Sequence, residues 1–242
     1  MDRQKLYDEM AARKSAPKDF NTYIGDNGRV NRCAELIRQG KLKSGGTLLD
    51  VGGGIGDLGA SVRDLYDKTW TVDISPQNLI AAESKGNEVL NCDIDVEGLF
   101  GIRDDSVSML TALDFIEHIV DPENFARECH RVLEPGGQVF INTPNIQYWK
   151  HLESQLHGFF PHTSGDREVY HGGHLGFYNY KDMVKIFHDA GFGKSAQIKD
   201  EEGYSNPPQY LIDFLEPTSQ ERYERACMRL GNPNLLFKCE KP

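Results

Sequence analysis

The 242-residue sequence lacks any apolar run long enough to cross a bilayer as a helix, so no membrane partner is expected. Met1 to Lys18 are charged rather than built like a signal segment, and the expectation is a soluble, cytoplasmic protein. Paired cysteines are missing as well. Cys33, Cys92, Cys129, Cys227 and Cys239 are scattered with no C-x-x-C, which argues for reduced, mostly buried thiols over a disulfide or metal framework. Positive charge is in deficit: 27 Lys and Arg stand against 37 Asp and Glu, a formal net charge of −10. A basic stripe that tracks a phosphate backbone is therefore not expected, nor is a nucleic-acid partner. There is no internal repeat or low-complexity tract, and a content of 38% hydrophobic and 26% charged residues excludes a disordered or fibrous chain.

What is present alternates. After a polar lead-in over residues 1–28, helical spacing of Val30, Cys33, Ala34 and Ile37 ends at Gly40. Strands are predicted over 47–51, 69–72, 88–91, 106–112 and 138–142, with helices over 58–66, 77–84 and 122–133 between them. A helix over 181–190 follows, then two further strands over 195–199 and 235–239 separated by a long polar stretch. Alternation of this kind implies parallel strands joined by right-handed crossovers, with the last strand returning antiparallel. The fold class expected is α/β: an open, mostly parallel, Rossmann-like sheet of seven strands with helices on both faces. One domain spans 1–242, with a lead-in and helix over 1–40 and an insertion over 145–176 after the fifth strand.

The most informative stretch is Leu48-Leu49-Asp50-Val51-Gly52-Gly53-Gly54-Ile55-Gly56, a strand end meeting a glycine-rich turn that opens a helix. Glycines there permit φ > 0 and close approach of a ligand to the backbone at the carboxyl end of the sheet. Gly54, Gly56 and Gly59 form an incidental G-x-G-x-x-G, the dinucleotide fingerprint. Two details weigh against a dinucleotide. Gly54 lies three residues beyond Val51 rather than at the strand end, and Asp50 would face a pyrophosphate unfavourably. A carboxylate suits a ligand with a positive end, such as the ammonium and sulfonium of S-adenosylmethionine.

Asp50-x-Gly52-x-Gly54-x-Gly56 resembles motif I of the class I S-adenosylmethionine-dependent methyltransferases, and the resemblance continues from Arg29 to Gly191. It is similar to the small-molecule, quinone and glycan O-methyltransferases of that class. Val72-Asp73-Ile74-Ser75 resembles the second motif, with Asp73 falling 23 positions after Asp50. Asn91-Cys92-Asp93-Ile94 resembles the third, Leu113-Asp114-Phe115-Ile116-Glu117-His118 the fourth-strand segment, and 131–137 and 142–145 complete the set. The resemblance implies that Gly52, Gly54 and Gly56 pass close to the cofactor and that Asp73 accepts the ribose hydroxyls. It implies that Asp93 faces the adenine amine, that Ile74 and Ile94 enclose the adenine, and that Leu113 lines the site. Gly53 stands where many relatives carry Cys or Ala, a harmless departure. Arg32, 18 positions before Asp50, resembles an arginine of quinone O-methyltransferases that binds the cofactor carboxylate. The alternative is a solvated helix face shared with Arg29 and Arg38.

The 145–176 insertion holds five of the eight histidines, at 151, 157, 162, 171 and 174, with Tyr148, Trp149, Phe159, Phe160 and Tyr170. In the family this segment commonly covers the acceptor. Aromatics would enclose an apolar substrate and a histidine would take its proton; His118, His171 and His174 are the candidates. Asp114-x-x-Glu117-His118 resembles the E-x-x-E-H metal cluster of small-RNA and quinone methyltransferases, with His174 as a further ligand. Asp reaches less far than Glu and the same Glu-His occurs in relatives without metal, so no metal is assigned.

The expected function is methyl transfer from S-adenosylmethionine, leaving S-adenosylhomocysteine, to a hydroxyl or amine of a small molecule, sugar or glycan. The alternatives are a small-RNA methyltransferase, an NAD(P)-dependent oxidoreductase and a non-catalytic cofactor-binding protein. The tail over 217–230 would pack on a second copy in a homodimer or form a helix on its own sheet.

Overall fold

A computed structural model describes residues 28–160, 173–199, 204–215 and 219–242. Every run predicted as a strand enters one sheet: β1 (Thr47–Val51), β2 (Lys68–Asp73), β3 (Glu88–Asn91), β4 (Val107–Leu113), β5 (Leu133–Pro144), β6 (Ser195–Ile198) and β7 (Asn234–Glu240). Their order is β3-β2-β1-β4-β5-β7-β6. The pairs among β1 to β5 are parallel, whereas β7 runs antiparallel to both β5 and β6. The seven-stranded, mostly parallel architecture and the returning last strand match the expectation.

Side-chain alternation divides the core. Leu48, Met109, Leu113, Phe140 and Leu236 meet α1 (Gly28–Arg38) and α2 (Asp57–Val62) through Cys33, Leu36, Ile37, Leu58 and Val62. Leu49, Val51, Leu110, Ala112, Val139 and Ile141 face the other way, toward Phe125, Ala126, Cys129 and Val132 of α5 (Pro122–Val132) and Met183, Ile186 and Phe187 of α7 (Tyr180–Asp189). Strands buried on both sides read as continuous apolar runs, which is why β4 is buried along its whole length. Helices α3 (Pro76–Ser84) and α4 (Ile94–Glu97) complete the crossovers on the β2–β3 side.

Helix starts follow local chemistry. Ser75 caps α3 ahead of Pro76, Asp121 caps α5 ahead of Pro122, and Asn179 with Asp182 closes a capping box on α7. The helix predicted over 122–133 ends one residue early. Leu133, two residues ahead of Pro135, is already extended and pairs with Val107, and Pro135 disfavours a further helical residue at Glu134. Two helices fall where none was predicted, α6 (Trp149–Leu156) and α8 (Gln209–Phe214), and the 217–230 tail forms the helix α9 (Gln220–Gly231). They share a small core of Ile212, Ala226 and Leu230 with Trp149 and Leu152, so the tail packs on the insertion. Among the described residues, no helix is long and apolar enough to cross a membrane.

Candidate cofactor and acceptor site

The parallel registers bring the ends of five strands together. Val51 lies beside Val72, Asp73 beside Asn91, Asp50 beside Thr111 and Leu113 beside Asn142. Asp50, Asp73, Asp93 and Leu113, far apart in sequence, therefore line one edge of the sheet, as expected.

The glycine turn is closed by its own polar groups. The Gly52 and Gly53 N–H groups donate to the Val72 carbonyl at 2.8 and 3.2 Å, and the Gly56 N–H donates to the Gly53 carbonyl at 3.0 Å. The Gly54 N–H donates to Asp73 Oδ2 at 2.9 Å. Gly52, Gly54 and Gly56 have φ of 69°, 54° and 72°, a region that favours glycine. A Cβ at Gly52 would strike Phe115 and one at Gly56 would strike Asn87 and Ala82, whereas the Cβ side of Gly54 is open. A Cβ at Gly53 would sit 2.6 Å from Asp50 Oδ2, so the Cys or Ala of relatives would displace that carboxylate here. Asp50 is buried and accepts from Thr111 Oγ1 at 2.7 Å. Burial pushes its carboxyl up to about 7; the Thr111 hydrogen bond and Arg29 oppose that rise, and Asp73 adds to it.

Asp73 is fixed from its other side as well, its Oδ1 accepting from the Ser75 N–H at 2.9 Å and from Asn78 Nδ2 at 3.2 Å. Asp93 caps α4, accepting from the Asp95 N–H at 3.1 Å. Ile94, just beyond it, is buried, and Ile74 is half-buried. Arg32 differs from its neighbours: its side chain is 11% exposed against 48% for Arg29 and 46% for Arg38. It reaches the Lys199 carbonyl at 3.4 Å and Glu35 at 3.5 Å. The three arginines therefore do not form one solvated face.

On the acceptor side, residues 173–178 dock onto the short turn Ile116–His118 beyond β4. The Leu175 and Gly176 N–H groups donate to the Glu117 carbonyl at 2.6 and 3.0 Å, and His118 Nδ1 lies 3.1 Å from the Gly173 carbonyl. This brings the His118 and His174 rings to 4.8 Å, edge to face, with Phe177 beside His174 and Phe160 beside Phe177. His171, His162 and Tyr170 lie outside the described residues. His151 belongs elsewhere: its Nδ1 lies 3.0 Å from the Asn145 carbonyl, its ring meets Tyr148, and burial lowers its pKa.

Glu117 was named only as a possible ligand, yet it is 1% exposed. Its Oε2 accepts from Thr143 Oγ1 at 2.9 Å, and its Oε1 is buried with no hydrogen-bond partner. Burial, with the nearby Asp114 carboxylate, raises its pKa. Glu117, His118 and His174 each offer one ligand atom within 4.8 Å of the others. Asp114, the first residue of the suspected cluster, stands outside this group and is held by Arg29 and Asn142. No sequence signal distinguished a buried Glu117 from a solvated one, since its burial depends on Thr143 and on Tyr178, 61 residues away.

Three comparisons bear on this edge. The model of the methyltransferase-domain family matches residues 27–196. A ubiquinone biosynthesis O-methyltransferase of Xanthomonas oryzae pv. oryzae is 27% identical over 164 residues, which span 66% of this chain and only 65% of that enzyme. Among solved structures, a possible histamine N-methyltransferase of Thermotoga maritima superposes with a TM-score of 0.60 at 16% identity, covering 92% of this chain and 98% of that one. The Haemonchus contortus phosphoethanolamine N-methyltransferase 2, in complex with S-adenosyl-L-methionine, gives 0.60 at 19% identity over 88% of this chain and 52% of that one. Both structures share the fold. With the family model spanning well over half of the sequence, from α1 to β6, the chain belongs to the methyltransferase-domain family of class I, S-adenosylmethionine-dependent fold.

Proposed function

We propose that the protein transfers a methyl group from S-adenosylmethionine to a hydroxyl of a small molecule. The observation that carries the cofactor reading is the hydrogen bonding of the glycine turn. Its Gly52, Gly53, Gly54 and Gly56 N–H groups are all taken by the Val72 and Gly53 carbonyls and by Asp73. A pyrophosphate needs such groups for itself and would also meet Asp50, Asp57 and Asp73, so the dinucleotide alternative is disfavoured. A cationic ligand with a ribose needs none of those donors and fits the carboxylates.

In this reading Asp73 accepts the ribose hydroxyls, while Asp93, Ile74 and Ile94 hold the adenine. Asp50 and Arg32 face the ammonium and carboxylate of the methionine end, and Leu113 lines the cleft. S-adenosylmethionine supplies a methyl already activated by a sulfonium, so alignment provides much of the rate. The acceptor oxygen attacks that methyl carbon as the carbon–sulfur bond breaks, and His118, with His174 against it, takes the hydroxyl proton. Phe160 and Phe177 offer an apolar wall for the acceptor. His171 is retained as a further candidate for proton transfer. The O-methyltransferase relative supports a hydroxyl over an amine, and nothing in the cleft favours a sugar or glycan in particular.

Calorimetric titration with S-adenosylmethionine, S-adenosylhomocysteine and NADH tests the cofactor. Both adenosyl sulfur compounds should bind, with affinity about 10-fold or more weaker in Asp73→Ala, and NADH should not. His118→Ala should lower turnover about 100-fold with little change in cofactor affinity; full turnover would remove His118 from the chemistry.

The Glu117, His118 and His174 cluster favours a second reading, in which a divalent cation there binds the acceptor oxygen. Carboxylate and imidazole ligands suit Mg²⁺, Mn²⁺ or Zn²⁺. Activity lost to a chelator and restored by one of these ions supports the cation; activity that survives metal removal leaves His118 as the base.

A further inference from the structure

Away from the strand ends, a cleft of about 740 Å³ lies between the start of α7, β6 and α9. Tyr180, Lys181, Gln197, Arg222, Arg225 and Arg229 line it with a few apolar residues, and among the described residues no carboxylate joins the lining. The arginines recur at i, i+3 and i+7, one face of α9. In a chain of net charge −10, four cations gathered around one concavity run against the general balance. Arg222 and Arg225 each have a partner already, Arg225 in Glu221 on the exposed helix and outside the lining, whereas Lys181 and Arg229 form no salt bridge with a described residue. The Gln197 Nε2 is buried without a hydrogen-bond partner, which adds a neutral donor to the charged ones. Like charges this close repel, and an anion within the cleft would reverse the sign of that interaction.

We propose that this cleft binds a small, multiply charged anion of the phosphate or carboxylate class. Guanidinium groups match the oxygens of such a group two at a time, and Lys181 adds a point charge. A polynucleotide is the poorer occupant, because it needs a track of positive charge rather than a bounded pocket on an acidic protein. The cleft is tied to the acceptor side of the molecule. The Arg229 carbonyl accepts from Asn145 Nδ2 at 2.6 Å, at the base of the insertion, and Tyr180 and Lys181 continue the chain from Phe177 and Tyr178. The anion is therefore either a remote group of the methyl acceptor or a separate small ligand.

Titration with inorganic pyrophosphate at constant ionic strength decides whether the site exists, and it does so without any methyl transfer. Saturable binding is expected for the wild type. In Arg222→Gln/Arg229→Gln it should be about 10-fold or more weaker, while Arg229→Lys keeps most of it. Unchanged binding of S-adenosylmethionine in these variants shows that they are folded. Pyrophosphate that fails to saturate at millimolar concentration, binds the double variant equally well, or is displaced by a single-stranded oligonucleotide at matched phosphate content would overturn the proposal. The source of the anion is read by offering hydroquinone and 4-hydroxyphenyl phosphate as acceptors. A preference for the phosphorylated phenol that disappears in the double variant places the anion on the acceptor; pyrophosphate binding without that preference makes it a separate ligand.

Discussion

Asp50 is held in two opposed conditions. It sits at the end of β1 beside the glycine turn, yet it is buried, with one oxygen on Thr111 and the other against the backbone of Gly53. Its carboxyl is raised from 3.8 to about 7, so the folded chain holds a proton that the unfolded chain has released over that range. The stabilisation of the protonated form is fully present below pH 3.8 and is lost as pH rises through about 7, a change on the order of 4 kcal/mol for this group. Unfolding by urea at about pH 5 and about pH 8 should show that loss superimposed on the other titrations, and Asp50→Asn should reduce it. A cationic ligand favours the ionised form, so affinity for S-adenosylmethionine should tighten across the same interval in the wild type and not in the variant. The sequence displayed Asp50 and Asp73 because a carboxylate at a strand end before glycines is a local pattern. It gave no hint that Asp73 spends an oxygen on the Gly54 N–H, because that contact follows from the register of β1 on β2.

At the scale of elements, strands and crossover helices were legible because periodicity and capping residues are local. The helices α6 and α8 were not, and α9 was only one of two readings of the tail. Their apolar positions make sense only against one another, as Trp149, Ile212 and Leu230 do. Asn145 joins these pieces to the sheet. It is 1% exposed, and its Nδ2 donates to the Arg229 and Asn232 carbonyls at 2.6 and 2.8 Å while its Oδ1 accepts from the Gln147 N–H at 3.0 Å. Asn145→Ala would leave buried carbonyls without donors, and denaturant unfolding should report a loss of about 2–4 kcal/mol. A change under about 0.5 kcal/mol would mean that α9 is held by apolar contacts alone. His118 and His174 were already grouped by their resemblance to family motifs, but the contact that joins them, the docking of 173–178 onto the Glu117 carbonyl, is not local and left no mark in the sequence.

Across the whole molecule, the strand order makes the last strand a keystone. Among the described residues β6 pairs with β7 alone, and β5 is sealed on that side by the same seven residues, Asn234–Glu240. Phe237 is fully buried and meets both Phe187 and Tyr180, so β7 also anchors α7. A fragment of residues 1–231 should consequently lose two strands rather than one, and light scattering should find it associated; a monomeric fragment that unfolds cooperatively would contradict this. The returning strand also sets an order of events. Five strands must wait with the β5 edge unpaired until a segment about a hundred residues downstream of β5's start swings back to cover it, and pairing over such separations is slow. During that interval the exposed edge of β5 offers its hydrogen bonds to any neighbouring copy, so concentration during refolding, more than temperature, should decide the yield of native protein.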